Sequence, residues 1–117
     1  MTIIPQQYDL VRCSSLIEAV PGRPLYLSDD YDRQIAKMDV APDGTLSNLS
    51  IFVERGEFGV ATDASGNVYV ADGQVLVYGA DGTFKKTIKV PERPAALSIV
   101  GNRLFIAARG GVYVHEI

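Results

Sequence analysis

Hydrophobic and polar positions alternate along this chain in short runs, and turn-forming pairs separate the runs. In residues 58–90 the apolar positions Val60, Val68, Val70, Val75, Val77 and Ile88 are divided by Asp63-Ala64-Ser65-Gly66, Asp72-Gly73 and Asp81-Gly82. β-Branched and aromatic residues suit a pleated, half-buried surface, and Asp-Gly between apolar runs is a hairpin signal. The pattern predicts four strands, at 58–63, 67–71, 74–79 and 83–90. The last alternates Phe84, Lys85, Lys86, Thr87, Ile88 and Lys89, so one of its faces is expected to be wet, as on an outer strand.

The same unit recurs on both sides. Leu25-Tyr26-Leu27-Ser28-Asp29 corresponds to Val68-Tyr69-Val70-Ala71-Asp72, and Leu104-Phe105-Ile106-Ala107-Ala108 corresponds to both. The entry turns Pro21-Gly22-Arg23, Ser65-Gly66-Asn67 and Gly101-Asn102-Arg103 also match. A four-stranded repeat of about 40 residues has the period of a propeller blade. The expected fold is therefore an all-β propeller domain over residues 1–117, with about three four-stranded blades. Blade one covers about 13–53, with strands at 13–20, 24–29, 34–40 and 45–53. Blade two covers 58–90, and blade three covers 95–117. The linkers are Glu54-Arg55-Gly56-Glu57 and Pro91-Glu92-Arg93-Pro94.

Blade three has residues for only three strands. An extra strand at 8–12 is its obvious completion, from the same chain or from a neighbour. Each blade buries its apolar faces only against neighbouring blades, and closed propellers have four to eight blades. Three blades leave two apolar faces open, which soluble monomers rarely tolerate. The expectation is a homodimer in which two three-blade halves form one six-bladed ring, with a poorly soluble fragment as the competing outcome.

Composition narrows the function classes. With 47% hydrophobic residues and a net charge of −3, the chain is no disordered tail. It carries no basic patch for nucleic acid. No apolar run reaches membrane-spanning length, and the N-terminus lacks a signal-peptide pattern, so a cytoplasmic location is the default. One cysteine and one histidine cannot build a Cys/His zinc site.

The run from Gly59 to Tyr113, with the upstream stretch from Leu25 to Val53, resembles the C-terminal part of the senescence marker protein (regucalcin)/gluconolactonase family, and resembles NHL-type propellers more generally. The resemblance covers roughly residues 14–115 and implies the second half of a six-bladed propeller. It further implies one divalent cation (Ca²⁺, Mg²⁺, Mn²⁺ or Zn²⁺) in the central tunnel and hydrolysis of sugar lactones or related esters. Oxygen donors suit such ions, and the ion would polarise a carbonyl and activate water. The family's ligands are a Glu and an Asn from the first half, then an Asn and an Asp from the second. Ser15-Leu16 stands where the second Asn-Gly is expected, and Glu57-Phe58-Gly59 replaces the usual Pro-Asp-Gly. Asp29 matches the Asp, with Asp30 as the alternative register. Retention of about one ligand in four speaks against catalysis by this chain alone.

The candidates are few. Asp29, in the acidic cluster Asp29-Asp30-Tyr31-Asp32, is the expected metal ligand and general base, with Asp30 as second metal candidate. The plainer reading is a solvated turn, favoured by Asp72 at the same place in blade two. His115 lies on an alternating strand, and Cys13 reads as a small apolar residue of an inner strand. Arg109-Gly110-Gly111 is a turn whose arginine could meet an anionic substrate. Two classes stay open: a lactone or ester hydrolase, by one chain or assembled from two, and a non-catalytic NHL-like binding propeller or decayed hydrolase.

Overall fold

The computed structural model describes residues 3, 4, 10 and 12–117. Turn chemistry cuts these residues into strands with no helix among them. The first sheet holds β1 (Cys13–Leu16), β2 (Leu25–Asp29), β3 (Gln34–Val40) and β4 (Leu46–Val53). The second holds β5 (Val60–Thr62), β6 (Val68–Asp72), β7 (Gln74–Tyr78) and β8 (Phe84–Ile88). The third holds β9 (Pro94–Val100), β10 (Arg103–Ala108) and β11 (Val112–Glu116). Each sheet is an antiparallel meander in sequence order, so the three predicted blades are present and the third has three strands among the described residues. The strand expected at 8–12 lies largely outside the described residues.

The inner strands are shorter than the pattern suggested. Pro21 and Pro24 cannot donate to a ladder, and Gly22 N–H turns away to Val40 O at 3.0 Å, so β1 ends at Leu16 rather than at residue 20. Strand β5 starts late because the carbonyls of Glu57 and Phe58 face serine hydroxyls of blade one. At the tightest hairpin, Asp72 pairs with Gln74 around Gly73, whose φ of 75° is a conformation only glycine adopts at no steric cost.

Inner strands crowd together. A Cβ on Gly59 would meet Ala96 Cα and Leu97 N at 3.1 Å, so the glycine kept from the Glu57-Phe58-Gly59 departure lets β5 approach β9. The packing between sheets repeats. Side chains paired across a ladder share a face, and Tyr26 and Ile35 on the trailing face of blade one pack on Val60, Val68, Val70, Leu76 and Tyr78 on the leading face of blade two. Phe52 of β4 closes that layer, edge-on to Tyr26 with ring centroids 4.9 Å apart. Tyr69, Val75 and Val77 on the trailing face of blade two pack in turn on Leu104 and Ile106 on the leading face of blade three. The leading face of blade one, Leu25, Leu27, Ala36, Met38 and Val40, carries Leu10 and Leu46 against it. The trailing face of blade three is open: Val112 is 70% and Val114 53% exposed.

Candidate functional site

The repeat gives blades one and two an aspartate at the same place, the end of the second strand. Asp72 is buried and takes Arg33 Nη2 at 2.6 Å and Arg55 Nε at 2.7 Å. Burial pushes its carboxyl up, but the hydrogen bond and charge of Arg55, the charge of Arg33 and the Gly56 N–H outweigh that and hold it below the ordinary range. Asp29 is also fully buried. Its Oδ1 accepts the Arg12 N–H at 3.0 Å, and Gln34 Nε2 approaches Oδ2 at 3.4 Å. Each aspartate thus accepts a backbone N–H from the segment leading into its own blade, Arg12 for Asp29 and Gly56 for Asp72. Both carboxylates are buried rather than solvated, unlike the solvated turn of the plainer reading.

Asp30 is beside Asp29 in sequence but is engaged elsewhere. Its carboxylate pairs with the Arg12 guanidinium. Ser15, at the position where the family resemblance called for an amide, shares a hydrogen bond with Ser28 Oγ at 2.9 Å and donates to Phe58 O. Ser14 Oγ lies 2.8 Å from Ser28 Oγ, and Ser28 is fully buried. The three hydroxyls tie blade one to the linker into blade two. Among the described residues no three His, Cys, Asp or Glu side chains gather around a point that a metal could occupy. Ca²⁺ needs six to eight oxygens and Mg²⁺ an octahedron. One carboxylate already holding an N–H does not fit that requirement, so the described residues do not make a cation site.

The other candidates lie apart. Cys13 is in the inner strand β1, as read, but its side chain is exposed rather than packed. Partial desolvation, then the charges of Asp29 and Asp30, push its thiol up, which disfavours the nucleophilic thiolate. His115 stands opposite Leu104 in the β10–β11 ladder. Arg109 is exposed on the turn after β10.

The linker carboxylates escaped the sequence reading. Glu57 accepts the Gly73 N–H at 2.9 Å and pairs with Arg93. Glu92 accepts the Gly110 N–H at 3.0 Å and the Tyr113 hydroxyl at 2.6 Å. Each linker glutamate thus pins the hairpin of the blade it enters. No local signal marks them, because their partners are 16 to 36 residues away.

A cavity of about 740 Å³ opens between the inner strands, at the end away from Asp29. The β1–β2 connection brings Glu18 and Arg23 to it, the end of β5 brings Thr62, the β5–β6 turn brings Asp63, and β9 brings Ser98. Asp63 is committed to its turn: it accepts from Ser65 N–H, Asn67 N–H, Asn67 Nδ2 and Tyr69 OH, each at 3.0 Å. Burial pushes its carboxyl up, and these donors together bring it below the ordinary range. Burial, then the bond to Asp63, pushes Tyr69 up to about 12.

Known proteins share this fold. A gluconolactonase from Xanthomonas campestris superposes with a TM-score of 0.78 at 24% identity, over 92% of this chain and 38% of its own. Regucalcin from Agrobacterium tumefaciens, a calcium-binding protein, gives 0.71 at 22% identity, over 86% and 39%. A luciferin-regenerating enzyme gives 0.70 at 15% identity, over 88% and 39%. The chain spans about two-fifths of the length of these structures, and at such identities they show the fold. No curated protein matches the chain in sequence. The model of the SMP-30/Gluconolactonase/LRE-like region matches residues 20–109. This match over most of the chain, with the three blades, places the protein in the SMP-30/gluconolactonase/LRE-like family.

Proposed function

We propose that this chain is a non-hydrolysing propeller module of the gluconolactonase type, which binds a small hydroxylated ligand, with sugar lactones and their acids as the class to test. The observation that carries this reading is a separation. The 740 Å³ cavity is lined at one end of the inner strands, and Asp29 is not among its lining residues. A cavity of that size, with mixed polar and apolar walls, suits a small molecule. Glu18, Arg23, Thr62 and Ser98 offer it donors and acceptors. Asp29, the carboxylate that the family resemblance would make a metal ligand and base, is buried and held by the Arg12 N–H.

The hydrolase reading keeps one supporting observation, the match of Asp29 to the family's aspartate. It requires further cation donors from beyond the described residues of this chain.

A lactone-hydrolysis assay separates the two. The purified chain with a sugar lactone is expected to give no rate above the spontaneous one, with or without added Ca²⁺, Mn²⁺ or Zn²⁺. Equilibrium binding of the same lactone's acid is expected to weaken by roughly tenfold in Arg23→Ala, a loss of one charge-assisted contact. Metal-dependent turnover abolished by Asp29→Asn would overturn the proposal and make Asp29 catalytic.

A further inference from the structure

The cavity between the inner strands carries two opposite charges that the chain itself leaves unmatched. Glu18 and Arg23 both line it, one on each arm of the β1–β2 connection. Neither forms an ion pair among the described residues, with the other or with a third group. Asp63 is the remaining charged residue of the lining. Its carboxylate is held by two backbone N–H groups, the Asn67 amide and the Tyr69 hydroxyl. The wall thus presents one available anion and one available cation.

The backbone beneath these two charges is anchored. Val20-Pro21-Gly22-Arg23 has the Pro-Gly order of a type II turn, and Gly22 takes the positive φ of 81° that such a turn requires. The Arg23 N–H closes the turn on Val20 O at 3.0 Å, and the Gly22 N–H ties it to Val40 O at 3.0 Å. On the other arm the Ile17 N–H donates to Tyr26 O at 3.1 Å, and the Ile17 side chain packs against two core clusters. Glu18 and Arg23 therefore leave from fixed points. A ligand that meets both has little loop entropy to overcome, and a preorganised site binds better for that reason.

On the cavity reading given above, on which this step rests, we propose that the preferred ligand is a hydroxylated zwitterion, a 2-amino sugar acid. Its carboxylate pairs with the Arg23 guanidinium and its ammonium with the Glu18 carboxylate. Its hydroxyls lie within the cavity that Thr62 and Ser98 also line, and these side chains can both donate and accept. Charge decides between the members of the class. A plain sugar acid matches Arg23 but leaves Glu18 without a counter-charge and brings a second anion into the cavity. A neutral lactone engages neither charge as an ion pair. An amino sugar without a carboxylate matches Glu18 but adds a cation beside Arg23. Like charges brought together select against the wrong ligand as much as opposite ones favour the right one.

Calorimetric titration of the 117-residue chain with three open-chain probes tests this. The probes are D-glucosaminate, D-gluconate and D-glucosaminitol, at about pH 6.5, where amine and carboxyl groups are both charged. Glucosaminate is expected to bind about fivefold tighter than either of the others, the scale of one solvent-accessible ion pair. Glu18→Gln should bring glucosaminate down to the level of gluconate, and Arg23→Gln should bring it down to the level of glucosaminitol. Both side chains are exposed, so the circular dichroism of the variants should match the wild type. Gluconate binding as tightly as glucosaminate, or a preference for glucosaminate that persists in Glu18→Gln, would overturn the zwitterion proposal and leave the cavity reading standing. Failure of all three probes to bind would overturn the cavity reading and the proposal with it.

Discussion

Leu104→Ala is expected to lower the unfolding free energy by about 2–5 kcal/mol, read as a lower urea midpoint at unchanged slope. Leu104 is fully buried and sits in the layer where Tyr69, Val75 and Val77 of blade two meet blade three. Truncation removes transferred apolar area and leaves a cavity that ladder-bonded strands on both sides cannot collapse to fill. A domain of this size has about 5–15 kcal/mol in total, so the loss is a large part of its stability. Val112→Ala, on the open face of the same sheet, should change the single chain by less than about 0.5 kcal/mol. Equal effects at the two positions would mean that blades two and three do not share that core.

Removing both arginines from Asp72 should have the second-largest effect, and it should depend on pH. In the wild type the Asp72 carboxyl is held below the ordinary range. Its contribution is then complete above the unfolded carboxylate pKa and is lost as pH falls through the lower folded value. In Arg33→Ala with Arg55→Ala, burial is no longer outweighed, and the folded pKa moves above the unfolded one. The ionised carboxylate then destabilises the fold at neutral pH. The expected loss is about 2–3 kcal/mol, less than for a fully buried pair because both guanidiniums are half exposed. The gap to wild type should narrow as pH falls towards about 4, and adding Asp72→Asn to the double variant should restore most of the stability at pH 7. A gap that does not change with pH would show that the arginines act by packing alone.

The strands could be read from the sequence because their signals are local. Asp72-Gly73 and Asp81-Gly82 mark turns whatever surrounds them, and Leu25–Asp29, Val68–Asp72 and Arg103–Ala108 show the same apolar pattern in three places. The position of Asp29 followed from that alignment. Its use did not. Arg33 reaches Asp72 across 39 residues, and Ser15 reaches Phe58 across 43. Such contacts arise from blades packing side by side, and no run of neighbouring residues encodes them. Cys13, apolar by composition, is exposed at the start of β1, beside a break in the β1–β2 register between Cys13 and Ser15. The acidic run Asp29-Asp30-Tyr31-Asp32 suggested a shared cation site, but its first two carboxylates have separate partners, a backbone N–H and a guanidinium.

Calorimetric titration of the chain with Ca²⁺, Mn²⁺ and Zn²⁺, beside the Asp29→Asn variant, tests the functional account most directly. With Asp29 engaged by the Arg12 N–H and no cluster of three metal-ligating side chains among the described residues, the account predicts no one-to-one binding tighter than about 1 mM, and identical traces for the two proteins. Stoichiometric binding in the micromolar range that disappears in Asp29→Asn would contradict it.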